Sequence, residues 1–278
     1  MQGKTVVITG ATSGIGGVTA EKLASMGARI VFVARDKDRG AATLEQLRKA
    51  GPGLDHRAHY ADLSRLSEMR RVAEEIAVSE TGIDVLMNNA GAIFDRRFET
   101  EDGLERTFAL NHMSYFVVTH ILRERLAATP GARVVSTASD AHRSAALDFN
   151  DLQLVIGFGG LKAYCKSKLY NILFTRELAR RLQGTGVIAN CLHPGFVATR
   201  FADEGKGITV SAFRVLKRLA LTPEEGAKTM IFLASSKEAN NVTGEYFVKC
   251  VPKTPTVAAR DDETAKRLWA ESERIAGF

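Results

Sequence analysis

The chain is poor in cysteine and aromatic residues and has no long apolar run. Its 278 residues include only 3 cysteines, Cys165, Cys191 and Cys250, with neither CxxC nor zinc-ligand spacing. An odd count without a pairing pattern excludes a disulfide framework and points to a reducing compartment. No stretch approaches the ~20 apolar residues of a membrane span, and no signal-peptide pattern precedes the first apolar run. A cytoplasmic chain without a membrane span is therefore expected. No Pro/Gly/Ser linker or low-complexity tract interrupts the sequence, so residues 1–278 read as one domain. Apolar residues at 45% and charged residues at 25% exclude a disordered chain. At this length roughly three-quarters of the unfolded surface can be buried, so folding needs neither disulfide nor metal.

The charge is unevenly placed. With 38 Lys+Arg against 32 Asp+Glu the net charge is +6. Residues 1–53 hold 8 basic and 4 acidic side chains, and residues 205–260 hold 9 and 4. A nucleic-acid binder would show a basic stripe interleaved with aromatics. Two separate blocks and 7% aromatics argue against such a partner.

What the sequence does hold is an apolar run followed by a helical period, repeated. Thr5–Thr9, Arg29–Ala34, His56–Tyr60, Val85–Asn88, Arg133–Thr137, Val187–Leu192 and Tyr246–Val248 read as strands. Helices are predicted over Ile15–Met26, Asp38–Ala50, Leu66–Thr81, Gly103–Ala128, Tyr164–Gln183, Pro223–Ser235 and residues 261–276. Continuous apolar strands alternating with helices imply a parallel sheet covered on both faces. Right-handed crossovers wind it into an α/β, Rossmann-type doubly wound sheet of about seven strands. Two insertions, 140–161 and 196–222, exceed usual loop lengths and are functional candidates.

Thr9-Gly10-Ala11-Thr12-Ser13-Gly14-Ile15-Gly16 joins the first strand to the first helix. Gly10 permits a tight turn, while Gly14 and Gly16 let backbone approach phosphate at the positive helix end. An ordinary strand-to-helix turn is the alternative; placement after the first strand favours a dinucleotide. Ala34-Arg35-Asp36 ends the second strand, where a basic residue pairs with a 2′-phosphate and an acidic one accepts from a 2′-hydroxyl. Arg35, with Lys37 and Arg39 behind it, favours NADP(H); Asp36 keeps NAD(H) open. A solvated Arg–Asp pair at a helix start is the plainer alternative. Asp62-Leu63 could set a carboxylate on an adenine amino group or cap a helix. Asn88-Asn89-Ala90-Gly91 follows the fourth strand, where small residues let the chain pass a cofactor while Asn89 bridges strands.

Tyr164 and Lys168 stand at i, i+4 at a helix start. A phenol with pKa ~10 is a poor acid near neutrality, and a neighbouring ammonium is expected to lower it. Such a pair also arises by chance as a surface contact. Ser139 ends the fifth strand, where a hydroxyl can bind a substrate oxygen. Asn111 conflicts with its apolar helix face (Phe108, Leu110, Phe116). His193-Pro194-Gly195 ends the sixth strand, with Thr199 four residues on.

TGxxxGIG, NNAG, Asn, Ser, YxxxK and PG, in this order, resemble the short-chain dehydrogenase/reductase family along essentially the whole chain. VVSTASDAH, YCKSKLYNILF, HPGFVATR and the tail from TGEYFVKC resemble its retinol-dehydrogenase-like branch. The resemblance implies NAD(P)(H)-dependent interconversion of an alcohol and a carbonyl on a small molecule. It makes Tyr164 the acid/base, Ser139 the residue orienting the carbonyl, and Lys168 a ribose ligand that lowers the Tyr164 pKa. It makes Asn111 the holder of a relay water and Thr199 a contact to the carboxamide. Thr12, Ser13, Ile15, Leu63, Ala90, Gly91, Pro194, Gly195 and Val197 join the cofactor set. Two departures stand out: Ala138 replaces the first of two serines usual in the branch, with Ser136 a rival to Ser139, and the first strand begins without the membrane segment common there. A homo-oligomer is expected, and no metal. An NADP(H)-sensing regulator without turnover is the rival reading, and an epimerase with YxxxK is disfavoured by NNAG.

Within the proposed lid 196–222, residues 208–221 have a helical face. At 100° per residue Arg214, Lys217 and Arg218 fall within about 100° of one another, opposite Ala212, Val215, Leu216 and Leu219. A core-packed surface helix, a lid over a lipophilic substrate and a membrane or partner contact all fit this pattern. The C-terminal helix, with Trp269, could pack beside the cleft or at an oligomer interface.

Overall fold

Strands with continuous apolar centres, such as Val6–Ile8 and residues 30–34, must be covered on both faces, and these are buried throughout. A computed structural model describes residues 1–197 and 221–278. Strands β1 (Thr5–Thr9), β2 (Arg29–Ala34), β3 (Arg57–Tyr60), β4 (Val85–Asn88), β5 (Arg133–Thr137), β6 (Ile188–His193), β7 (Tyr246–Val248) and β8 (Val251–Pro252) form one sheet. Their order is β3-β2-β1-β4-β5-β6-β7-β8, with every pairing parallel except β7 with β8. Seven parallel strands match the expectation, and the two-residue β8 adds an antiparallel edge.

Alternation along each strand divides the core. Val7, Val31, Val33 and Leu86 face one apolar layer, whereas Val6, Ile8, Ile30 and Phe32 face the other. The second layer lies under α1 (Gly14–Ser25), α2 (Lys37–Ala50) and α7 (Pro223–Ser235). The first lies under α3 (Leu66–Ser79), α5 (Ser114–Ala127), α6 (Gly160–Arg181) and α8 (Asp262–Ala276). Local signals set several helix starts: Asp36 caps α2 by accepting from Arg39 N, and Thr222 and Glu225 close a capping box around Pro223.

The expected helix over Gly103–Ala128 is corrected. A three-residue α4 (Arg106–Phe108), capped by the Glu105 carboxylate, runs into a π-turn at Ala109–Met113 and only then into α5. Such turns insert a residue and often mark functional sites; this one contains Asn111. The C-terminal helix α8 packs inside the chain: Trp269 stacks on Phe174 of α6 and meets Phe116 of α5 edge-on.

Candidate active site

Strand order reverses between β1 and β4, and a crevice opens there at the carboxyl ends of the strands. Thr9 and Asn89 seam it shut underneath. Thr9 Oγ1 accepts from Asn89 N (3.0 Å) and Ala90 N (3.1 Å), while Asn89 Nδ2 donates to the Thr9 and Gly10 carbonyls. Asn89 Oδ1 also accepts from Thr137 Oγ1, so three strand ends meet on one side chain, as expected of a bridging residue. The resulting cleft encloses about 720 Å³.

Along one end run Gly10, Thr12, Ser13, Gly14, Ile15 and Gly16. Gly10 has φ +72°, and a Cβ on Gly16 would come within 2.2 Å of the Gly10 carbonyl. Only glycine fits this approach. The Ser13 side chain makes no cap bond, and the first turn of α1 has no acidic residue. Its backbone N–H groups therefore present an uncapped positive end to the cleft, suited to a pyrophosphate. Arg35 and Arg39 line the end beyond the glycines, with Asp62 and Leu63 beside them. Asp36 lines this end too, and its Oδ1 accepts from Arg39 N at the start of α2. Asp62 holds a local turn, accepting from Ser64 N and Oγ, and does not cap α3, whose N-cap is Arg65.

The other end of the cleft holds Ser139, Tyr164 and Lys168, with Ala90, Gly91, Pro194, Gly195 and Val197 on its walls. Lys168 is 2% exposed, and its Nζ donates to the Thr137 carbonyl at 3.0 Å. Burial pushes this ammonium down to about 7. Burial likewise raises Tyr164 to about 12, against a hydrogen bond with Ser139 that acts to lower it. The expected lowering of the phenol by its ammonium neighbour is thus corrected. Lys168 Nζ lies 5.5 Å from the Tyr164 ring centre, bound to a carbonyl, and removal of both groups from water dominates.

Asn111 does not line the cleft. Fully buried behind it, Asn111 binds Ala92 through both side-chain atoms and donates to Ser167 Oγ at 3.1 Å. Ser136, the rival serine, is sealed in the sheet away from the cleft. Cys165 is buried. Thr199 and most of the proposed lid, with its basic and apolar faces, lie outside the described residues. Among the described residues no cluster of His, Cys, Asp or Glu could hold a metal ion, and no helix is long and apolar enough to cross a membrane.

Sequence reasoning passed over several cleft residues. Leu161 and Phe196, both exposed apolar side chains, line its outer part. Asp140, directly after Ser139, and His193 line it too. A lone acid in VVSTASDAH or a lone histidine in HPG carries no spacing signal.

The family model "short chain dehydrogenase" matches residues 4–206. Retinol dehydrogenase 13 of Homo sapiens is 39% identical over 285 residues, covering 99% of this chain and 85% of that protein. Retinol dehydrogenase 14 of Mus musculus is 39% identical, with coverage of 100% and 87%. A solved structure from Mycobacterium paratuberculosis superposes with a TM-score of 0.79 at 31% identity, covering 99% of this chain and 94% of that one. A short chain dehydrogenase of Burkholderia cenocepacia J2315, solved in complex with NADP, gives 0.70 at 26% identity, covering 88% and 96%.

Proposed function

The chain belongs to the short chain dehydrogenase family, in its retinol-dehydrogenase-like branch, and from that premise we propose an NADP(H)-preferring enzyme that interconverts an alcohol and a carbonyl on a lipophilic small molecule. When bound, the nicotinamide supplies or accepts the hydride. The residues present fit the dinucleotide: a glycine cradle that a Cβ would fill, an uncapped helix start and two arginines at the far end. Arg35 would meet the 2′-phosphate, while Asp36, which lines the same end, spends one carboxylate oxygen on its helix cap.

One observation carries the catalytic reading. A buried ammonium, a phenol and a serine hydroxyl converge on one end of a dinucleotide-sized cleft, and the ammonium is stripped of water at a cost to stability. A sensor without turnover has no use for that arrangement. Lys168 would hold the ribose hydroxyls, which restore partners that burial removed. Ser139 would donate to the substrate oxygen, and Tyr164 would pass its phenolic proton to that oxygen or take it back. Asn111 would hold a water on the proton path through its backbone; its side chain is committed to Ala92 and Ser167. Exposed Leu161 and Phe196 at the outer cleft support an apolar substrate, as does the retinol in the relatives' names. NADPH and NADH oxidation across aromatic, steroid, retinoid and aliphatic carbonyls tests the reading. Tight NADPH binding without turnover on any of them would favour the sensor.

A further inference from the structure

The peptide unit joining Ser139 to Asp140 is gripped at both of its polar ends. Its carbonyl oxygen lies 2.7 Å from His142 Nδ1, and its N–H donates to His193 Nδ1 at 3.3 Å. His142 Nε2 in turn accepts from Thr256 N at 3.3 Å. A carbonyl can only accept and a backbone N–H can only donate. The His142 ring must therefore carry hydrogen on Nδ1 and a lone pair on Nε2, which is a neutral imidazole in one tautomer. By the same logic His193 must keep its lone pair on Nδ1. Asp140 is anchored as well: Tyr246 Oη donates to its Oδ1 at 2.9 Å, and Tyr246 meets the His142 ring edge-on at 5.2 Å.

We propose that His142 and His193 clamp the Ser139–Asp140 peptide, and that His142, in its neutral Nδ1–H form, is a positioning residue for the Ser139 hydroxyl. The proposal rests on Ser139 acting on the substrate oxygen. Ser139 Oγ accepts from Ala141 N at 3.2 Å and shares a hydrogen bond with Tyr164. The direction of the hydroxyl follows the peptide plane, which the two rings hold together with the turn bond from His142 N to the Ser139 carbonyl at 3.1 Å. The ring is 0% exposed, so no water substitutes for a lost partner. A proton added at Nε2 would face the Thr256 N–H and break that bond.

The groups around the ring are Asp140 and Arg143 on its own turn, His193 at the end of β6 and Tyr246 on β7. On the far side of Ser139, α6 brings Tyr164 and Lys168. Burial, helped by Arg143, disfavours the charged ring, while the Ser139 carbonyl and Asp140 oppose it. The geometry and the electrostatics agree on a ring that stays neutral where an ordinary histidine, with pKa ~6.5, would charge.

Two measurements test the clamp. Nitrogen NMR of the histidines in the full chain should show His142 as the Nδ1–H tautomer, still neutral at pH 6. A ring that titrates near 6.5, or that carries hydrogen on Nε2, overturns the proposal whatever the turnover. In kinetics, His142→Phe should lower kcat about 10- to 100-fold, the scale of a slightly misplaced catalytic group. NADPH affinity should stay within about twofold, since the clamp touches the serine and not the nucleotide end. His142→Asn keeps a donor at the Nδ1 position and should recover most of kcat. Wild-type kcat in His142→Phe, with turnover abolished by Ser139→Ala, would refute the clamp and leave the enzyme reading intact. If the wild-type chain turned over no carbonyl, the enzyme reading would fall, and the NMR result would still decide the clamp.

Discussion

Asn111 and the backbone of Ala92 exchange two hydrogen bonds, both at 2.9 Å: Oδ1 accepts from Ala92 N, and Nδ2 donates to Ala92 O. The side chain thus stands in for a neighbouring strand and ties the π-turn to the segment that walls the cleft after β4. Asn111→Leu removes both bonds and the one to Ser167, leaving buried backbone groups without partners. The expected cost is about 2–4 kcal/mol. At about 2 °C per kcal/mol for a chain of this size, thermal unfolding should fall by roughly 4–8 °C. An unchanged midpoint would contradict the role given to this pair.

Gly16→Ala should abolish nucleotide binding while leaving the sheet folded. Its Cβ would sit 2.2 Å from the Gly10 carbonyl and 2.5 Å from Asn89 Nδ2, so the loop must move out of the cradle. Gly17→Ala, with a nearest contact of 3.2 Å to the Ala11 carbonyl, is the milder control. NADPH fluorescence titration separates the two. Equal affinity in both variants would show that the glycine cradle does not contact the cofactor.

Arg35→Ala should weaken NADPH binding about 10- to 100-fold, the equivalent of one charge-assisted contact of about 1.5–3 kcal/mol. NADH affinity should hardly change. Equal losses for both nucleotides would place Arg35 away from the 2′-phosphate and would remove the basis of the proposed preference.

Lys168 titrates near 10.4 in an unfolded chain and near 7 in the folded one. Below pH 7 it is charged in both states, and the burial penalty acts in full. Between pH 7 and 10.4 the unfolded chain holds the extra proton, so this residue makes stability rise with pH. Lys168→Met should therefore be more stable than the wild type at pH 7, with the gap closing toward pH 10, although turnover is lost. Denaturant midpoints at the two pH values check this. A variant less stable than the wild type at pH 7 would mean that the ammonium is well solvated or paired.

The strands were legible because burial on both faces removes polar residues from them: TVVIT and RIVFVA can hardly be anything else. The glycine loop, Ser139, Tyr164 and Lys168 were legible because each sits at a strand or helix end that the alternating pattern locates. The π-turn was not, since one inserted residue leaves the apolar spacing of Phe108, Met113 and Phe116 nearly unchanged. The direction of the Tyr164 shift was also hidden. Sequence shows that an ammonium is near, but not that both groups leave water and that Lys168 spends a donor on Thr137. His142 and His193 act on backbone atoms, which carry no residue identity, so no motif announces them.

The central claim is that Tyr164 moves the proton. Turnover of the best carbonyl in the panel by Tyr164→Phe, with NADPH saturating, tests it most directly. Loss of the general acid should lower kcat by about 10²–10⁴-fold while NADPH still binds with wild-type affinity. Wild-type turnover in that variant would contradict the account.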